Sequence, residues 1–118
     1  QRQMCIRDRL GDLPGIEVKQ NPAPDFDSNF WLTCITVDPA RFGSTADEIR
    51  VHLERENIES RLLWRPMHMQ PVFAGCPAYT DGTSEAIFDR GLCLPSGSGL
   101  TDADIAAVTE EIRKLHKH

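Results

Sequence analysis

Phe30-Trp31-Leu32-Thr33-Cys34-Ile35-Thr36-Val37 is the stretch on which the fold turns. It is rich in β-branched and aromatic residues and nearly unbroken in apolarity, as a strand covered on both faces would be. Asp38-Pro39 stops it, because proline has no N–H for a strand ladder. A helix follows, opened by Thr45 with Glu48 three residues on, the pattern of a capping box. Ile49 and Leu53 give that helix a thin apolar stripe, and Arg50, Glu54, Arg55 and Glu56 form its solvated face. A covered strand leading into an amphipathic helix is the unit of a layered α/β domain.

Working towards the start of the chain, Asn21 to Asn29 reads as a loop rich in Pro, Asp and Asn, and Ile16-Glu17-Val18-Lys19 alternates as a short strand. Leu13-Pro14-Gly15 is a turn. Residues 1–9, QRQMCIRDR, show no helical or strand period and are expected to be an unrelated or artefactual segment outside the fold. Residues 10–118 are expected to form the domain.

Towards the end, Thr83 or Ser84 caps a short helix running to Arg90, with Gly91 placed for a left-handed C-terminal cap. Leu92-Cys93-Leu94 is a short strand ended by Pro95. Ser96 to Gly99 is a turn without the lysine of a phosphate-binding P-loop. The last helix has the strongest signal. Thr101 and Asp104 form a capping box, Leu100 is placed to staple Ile105, and Ile105, Val108, Ile112 and Leu115 repeat at helical spacing. Lys114 and Lys117 complement the dipole at its end. The expected order is strand, strand, helix, strand, long loop, helix, short strand, helix. This is an α/β (α+β-like) domain with a three- to four-stranded sheet covered by helices.

Composition narrows the function classes. At 118 residues the chain is one domain's worth. A net charge of −5 argues against a nucleic-acid or anionic-membrane surface. No apolar run is long enough to span a bilayer and no signal-peptide pattern opens the sequence, so the chain reads as cytoplasmic. Cys5, Cys34, Cys76 and Cys93 are scattered, with no C-x-x-C and no Cys/His spacing of a zinc site. They read as buried or bystander thiols of a reducing compartment, and no metal is expected.

The densest cluster of unusual side chains is Glu59 to Phe73, ESRLLWRPMHMQPVF. Pro66 and Pro71 exclude helix interior and central strand, so a short strand at Ser60–Leu63 should run out into an extended loop. Trp64, Phe73, His68 and Gln70 on a proline-braced loop form a candidate binding surface. A packed connecting loop whose His68 bonds a backbone carbonyl is the other reading of the same residues.

Taken together these motifs resemble a known family. Asn29 to Thr33, Glu59-Ser60-Arg61, Leu63 to Pro71, Ser84-Glu85, Arg90 to Gly97 and Leu100-Thr101-Asp102 occur in the order found in the C-terminal, smaller domain of the DegT/StrS-type nucleotide-sugar aminotransferases. The resemblance covers roughly Leu10 to Leu115. One departure is Leu62, where family members often carry proline.

The resemblance implies a pyridoxal-phosphate enzyme of the aspartate-aminotransferase fold type. Such an enzyme moves an amino group from glutamate to a nucleotide-linked keto-sugar in the supply of glycan precursors, and works as a homodimer. It implies that the Schiff-base lysine, the phosphate-binding loop and the pyridinium partner belong to a large domain that this sequence lacks, so no catalytic residue is expected here and the isolated chain is expected to be inactive. His68 matches the family histidine that contacts the sugar nucleotide. Arg61 and Arg65 suit the diphosphate or the donor carboxylate, and Gln70 is a further substrate-binding candidate. Trp64, Met67 and Phe73 are expected to dock the loop against the large domain. The alternative is a non-catalytic small α/β ligand-binding or regulatory module.

Overall fold

The computed structural model describes residues 1–117. Its centre is a four-stranded, wholly antiparallel sheet built from β1 (Ile16–Val18), β2 (Thr33–Val37), β3 (Arg61–Leu62) and β4 (Gly91–Leu94), in the spatial order β1-β2-β4-β3. Five helices accompany it: α1 (Arg2–Leu10), the single turn α2 (Pro39–Phe42), α3 (Ala46–Arg55), α4 (Thr83–Arg90) and α5 (Asp102–Lys114).

β2 alternates between buried and half-buried positions. Thr33, Ile35 and Val37 face the core, while Cys34 and Thr36 face the other side. Ile35 lies opposite Leu92, and Thr33 opposite Leu94, so β2 and β4 pool their core side chains. Ile16 and Val18 extend that apolar face on β1, and Ile49, Leu53, Ile105, Val108 and Ile112 cover it from α3 and α5. The strand is therefore covered closely on one face only, and it begins three residues later than its apolarity predicts. Ser28 Oγ accepts from the Phe30 N–H, and Asn29 Oδ1 accepts from the Trp31 N–H. These local bonds compete with the ladder, and Phe30 sits at φ 47°, outside the strand region.

Both predicted capping boxes form. Thr45 Oγ1 accepts from the Glu48 N–H, and Glu48 returns a carboxylate to the Thr45 N–H at 2.7 Å. Thr101 and Asp104 repeat the arrangement at the start of α5. At α4 the capping is different. Gly82 is the N-cap at φ 88°, and Asp81, rather than Thr83 or Ser84, supplies the oxygen that accepts from the Thr83 N–H.

Gly91 is also not the left-handed cap that its place after Arg90 predicts. It is extended, at φ −94° and ψ 149°, and is the first residue of β4. Space demands the glycine here: an added Cβ would stand 2.0 Å from the Leu63 side chain and 2.5 Å from the Ile87 carbonyl oxygen. Gly15 carries the positive φ, 83°, and lets the turn before β1 pass against the backbone of α2.

The expectation for the first nine residues is corrected. Arg2–Leu10 is a helix, and Gln3, Ile6 and Leu10 line its inner face at spacings of three and four. Ile6 and Leu10 are part of the core, at 1% and 0% exposure. The sequence hides this stripe because one of its three inward positions is polar. Gln3 is buried with its amide donating to the Lys19 carbonyl at 3.1 Å, which satisfies the group without breaking the fit. Arg2 donates to the Leu100 carbonyl, and Arg113 of α5 reaches back to Arg9 and Asp12, so the helix is tied at both ends.

Two outcomes test this account. Ile6→Ala should destabilise the chain by about 2–5 kcal/mol in denaturant titration, the usual cost of emptying a core site, whereas a segment outside the fold would give no change. Acid should also weaken the structure. Arg113 beside Asp12, the Thr101 N–H beside Asp104, and Lys114 then His52 beside Glu111 hold these carboxyls below their ordinary values of 3.8, 3.8 and 4.5. A depressed folded-state pKa contributes stability above the unfolded value and loses it as pH falls through the folded one. The denaturation midpoint should therefore be flat between about pH 5 and 7 and fall below about pH 4, with Asp104→Asn reducing the fall.

Candidate functional site

Pro66 and Pro71 do not leave the loop extended. They open two successive 3₁₀ turns, Met67–Met69 and Pro71–Phe73, with Pro71 at the first turn position where a missing N–H costs nothing. The Met69 N–H bonds the Pro66 carbonyl, and the Phe73 N–H bonds the Gln70 carbonyl. The loop is thus compact, and it presents His68 towards α4.

His68 Nε2 lies 2.5 Å from Glu85 Oε1 on the first turn of α4. The two side chains are only 23% and 33% exposed, so the contact is partly shielded from water. The Glu85 backbone N–H, followed by His68, pulls this carboxyl below its ordinary value of 4.5. Its second oxygen, Oε2, is buried and has no hydrogen-bond partner, as is Ser60 Oγ. A carboxylate fixed through one oxygen holds the imidazole ring by Nε2 and leaves Nδ1 as the group that can meet a ligand. The carbonyl contact that the sequence allowed for His68 is replaced by a carboxylate. Glu85 was legible only as part of the Ser84-Glu85 motif, because a helix-start glutamate is common for dipole reasons alone.

Arg65 is brought to the same helix. Its guanidinium lies over the Phe88 ring, 5.6 Å from the centroid. Gln70 is engaged inside the loop, its amide donating to the Arg65 carbonyl at 3.3 Å and lying 3.5 Å from Met67 Sδ. Arg61 stands apart on β3. It pairs with Glu59 at 2.6 Å, and both side chains are largely exposed. Of the four substrate-binding candidates, His68, Arg65 and Gln70 therefore share one loop-and-helix unit, and Arg61 belongs to another surface.

That other surface is an open groove of about 840 Å³ between β3, the chain before β2 and the turn after β4. Trp31, Ser60, Arg61, Trp64, Cys93 and Ser96 are among its lining residues, and His68 is not. Ser96 frames it structurally: its hydroxyl accepts from the Thr33 N–H at 2.7 Å and donates to the Leu94 carbonyl. Trp31, Trp64, Met67 and Val72 are 72%, 68%, 61% and 77% exposed, whereas Phe73 is half-buried. Trp64 and Met67 are therefore free to meet another surface, and Phe73 is partly spent on the loop itself.

Among the described residues, no group of three or more His, Cys, Asp or Glu is placed to hold a metal, and no helix is long and apolar enough to cross a membrane. A Schiff base to pyridoxal phosphate needs a lysine in a cavity. Lys19 pairs with Glu17 and Lys114 with Glu111, and the side chain of Lys117 is exposed beside Gly43. The residues present do not form such a site by themselves.

With this geometry in place, comparisons with known proteins are informative. The sequence model of the DegT/DnrJ/EryC1/StrS aminotransferase family matches residues 1–113. EpsN of Bacillus subtilis (strain 168), named by inference as a pyridoxal phosphate-dependent aminotransferase, is 38% identical over 113 residues, covering 92% of this chain and 28% of its own. GDP-perosamine synthase of Caulobacter vibrioides is 34% identical over 67% of this chain and 21% of its own. The crystal structure of DesI with its TDP-sugar product superposes with a TM-score of 0.84 at 26% identity, over 96% of this chain and 29% of that one. The chain spans less than a third of the length of these relatives. Its four-stranded sheet and flanking helices follow the fold of that aminotransferase structure over nearly the whole of this chain. The chain belongs to the DegT/DnrJ/EryC1/StrS aminotransferase family.

Proposed function

We propose that this chain is the C-terminal part of a pyridoxal-phosphate-dependent aminotransferase that transfers an amino group from glutamate to a nucleotide-linked keto-sugar. Its loop Trp64–Phe73 supplies one wall of the substrate site. The observation that carries this reading is the His68–Glu85 pair, a shielded imidazole held by a carboxylate on a rigid turn, within a chain of this family. The names of GDP-perosamine synthase and of the DesI complex with a TDP-sugar support a nucleotide sugar as the acceptor class.

The cofactor supplies carbanion stabilisation when bound, and the rest of the protein would hold it. This chain's own residues bind and orient. His68, with Glu85 fixing its ring through Nε2, presents Nδ1 to the acceptor, donating to a phosphate oxygen as an imidazolium or accepting from a sugar hydroxyl as the neutral ring. Arg65, steadied over Phe88, meets the diphosphate or the donor carboxylate, and its planar fork suits either. Gln70 holds the loop backbone in place, and Arg61 contributes from the neighbouring groove. Trp64 and Met67, with Phe73 behind them, dock the loop against the cofactor-binding domain and exclude water from the wall they build. The intact protein works as a cytoplasmic homodimer in the synthesis of surface-glycan precursors.

The test is kinetic and uses the full-length protein that contains this chain. His68→Ala removes one charge-assisted hydrogen bond, worth about 1.5–3 kcal/mol, so kcat/KM for the sugar nucleotide should fall roughly 10- to 150-fold. The KM for glutamate should stay unchanged. Glu85→Gln keeps the shape but loosens the ring, and should give a smaller loss on the same substrate. Equal losses on both substrates would reduce the loop to a structural element and overturn the reading.

A further inference from the structure

Sequence alone pairs none of the four cysteines, but the sheet pairs two of them. Cys34 of β2 and Cys93 of β4 are direct cross-strand partners 59 residues apart in the chain, with sulfurs 3.7 Å from each other. Both point away from the core, because their neighbours Thr33, Ile35, Leu92 and Leu94 point into it. No disulfide joins them: all four cysteines are free thiols. Opposed residues on antiparallel strands lie about 4.5–5.5 Å apart in Cα, inside the range of about 4.4–6.8 Å that a disulfide spans. Side-chain rotation with a small adjustment of the two strands brings the sulfurs to bonding distance.

We propose that Cys34 and Cys93 form a redox-responsive dithiol that closes to a β2–β4 disulfide by exchange with a low-molecular-weight disulfide. The two thiols differ in access, and this sets their roles. Cys34 is half-buried and borders a shallow groove lined by Lys19, Asn21, Phe26 and Phe30. Cys93 is 7% exposed and lines the separate groove beside Arg61 and Trp64, so Cys34 is the more exposed of the two. Cys34 is thus the thiol that an external disulfide reaches first.

Either sulfur can donate in this contact; with Cys93 as the donor the Cys34 pKa is drawn down to about 7, while the same contact and burial push Cys93 up. A thiol near ambient pH is the effective attacker in exchange. Lys19, whose N–H bonds the Cys34 carbonyl, and Arg61, paired with Cys93 in the register, flank the two thiols in one cross-sheet row, each ion-paired with its own glutamate, Glu17 and Glu59.

The steps balance. The Cys34 thiolate attacks one sulfur of the external disulfide, forming a mixed disulfide and releasing one small thiolate. With the charge on Cys34 gone, Cys93 gives up its proton to solvent or to the released thiolate. The Cys93 thiolate then attacks Cys34 Sγ and expels the second small thiol. Two protein thiols are oxidised, one external disulfide is reduced to two thiols, and no other oxidant enters. The proposal rests on the sheet register and is independent of the aminotransferase reading.

The test treats the 118-residue chain, in a Cys5→Ser/Cys76→Ser background, with oxidised glutathione and maps the peptides without reduction. The expected result is a peptide cross-linked through Cys34 and Cys93 with no retained glutathione. Alkylation of both thiols should be lost and then restored by dithiothreitol. Adding Cys93→Ser should arrest the reaction at a single glutathione adduct on Cys34, and adding Cys34→Ser should leave Cys93 unmodified. The unsubstituted pair decides the matter even where Cys93→Ser fails to fold. A persistent adduct on Cys34 with Cys93 still open to alkylation would overturn closure. Reaction at Cys93 first would overturn the assignment of roles.

Discussion

The antiparallel pairing of β2 with β4 is the constraint on which the rest of this structure depends. It joins Thr33–Thr36 to Gly91–Leu94 across about half the chain, and both faces of the sheet inherit their content from its register. On one face it sets Ile35 against Leu92 and Thr33 against Leu94, the floor on which α3 and α5 close. On the other it sets Cys34 against Cys93. A slip by one residue would exchange these two sets and put thiols into the core. Gly91 enforces the register sterically, since a side chain there would collide with Leu63 just before the Trp64–Phe73 loop. The strand pairing therefore also fixes where the loop departs, and with it the approach of His68 to Glu85.

Much of this order is legible in the sequence, and the exceptions have physical causes. The strand core Thr33–Val37 and the two capping boxes are local signals, written in residue type and in spacings of three and four. What failed to show needed a partner from elsewhere in the chain. The first helix reads as structureless because Gln3 occupies one of its three inward positions, and only the Lys19 carbonyl, sixteen residues on, makes a glutamine acceptable there. Gly91 looks like a helix cap because it follows Arg90, yet the reason for the glycine is Leu63. Cys34 and Cys93 look like scattered thiols because a cross-strand pair leaves no spacing signature.

The loop shows the same division. Its prolines correctly predict the absence of helix interior and strand, but not the tight 3₁₀ turns they start. His68 was identifiable as a candidate, whereas its carboxylate partner lies seventeen residues away on α4. Arg65 and Arg61 are close in sequence yet diverge in space, because β3 ends at Leu62 and the chain turns between them. Proximity in sequence had grouped them as one cluster. The fold keeps Arg65 with His68 and gives Arg61 to the groove beside Cys93.

The distribution of large side chains carries the argument one step further. α1, α3 and α5 gather on the core face of the sheet, where Phe42, Ile49, Leu53 and Ile112 are fully buried. Trp31, Trp64, Met67 and Val72 remain uncovered. Single exposed apolar residues are ordinary, but Trp31 and Trp64 flank one groove, and Met67 and Val72 ride on the adjoining loop. A tryptophan exposed in this way leaves most of a large apolar surface in water, a cost that contact with another surface removes. The loop is also internally braced by Gln70 and its 3₁₀ turns, so it can meet such a surface without first losing much conformational freedom. A prepared, apolar and rigid wall beside a carboxylate-held histidine is what the proposed function asks of this part of the protein, which in that reading contributes shape and orientation.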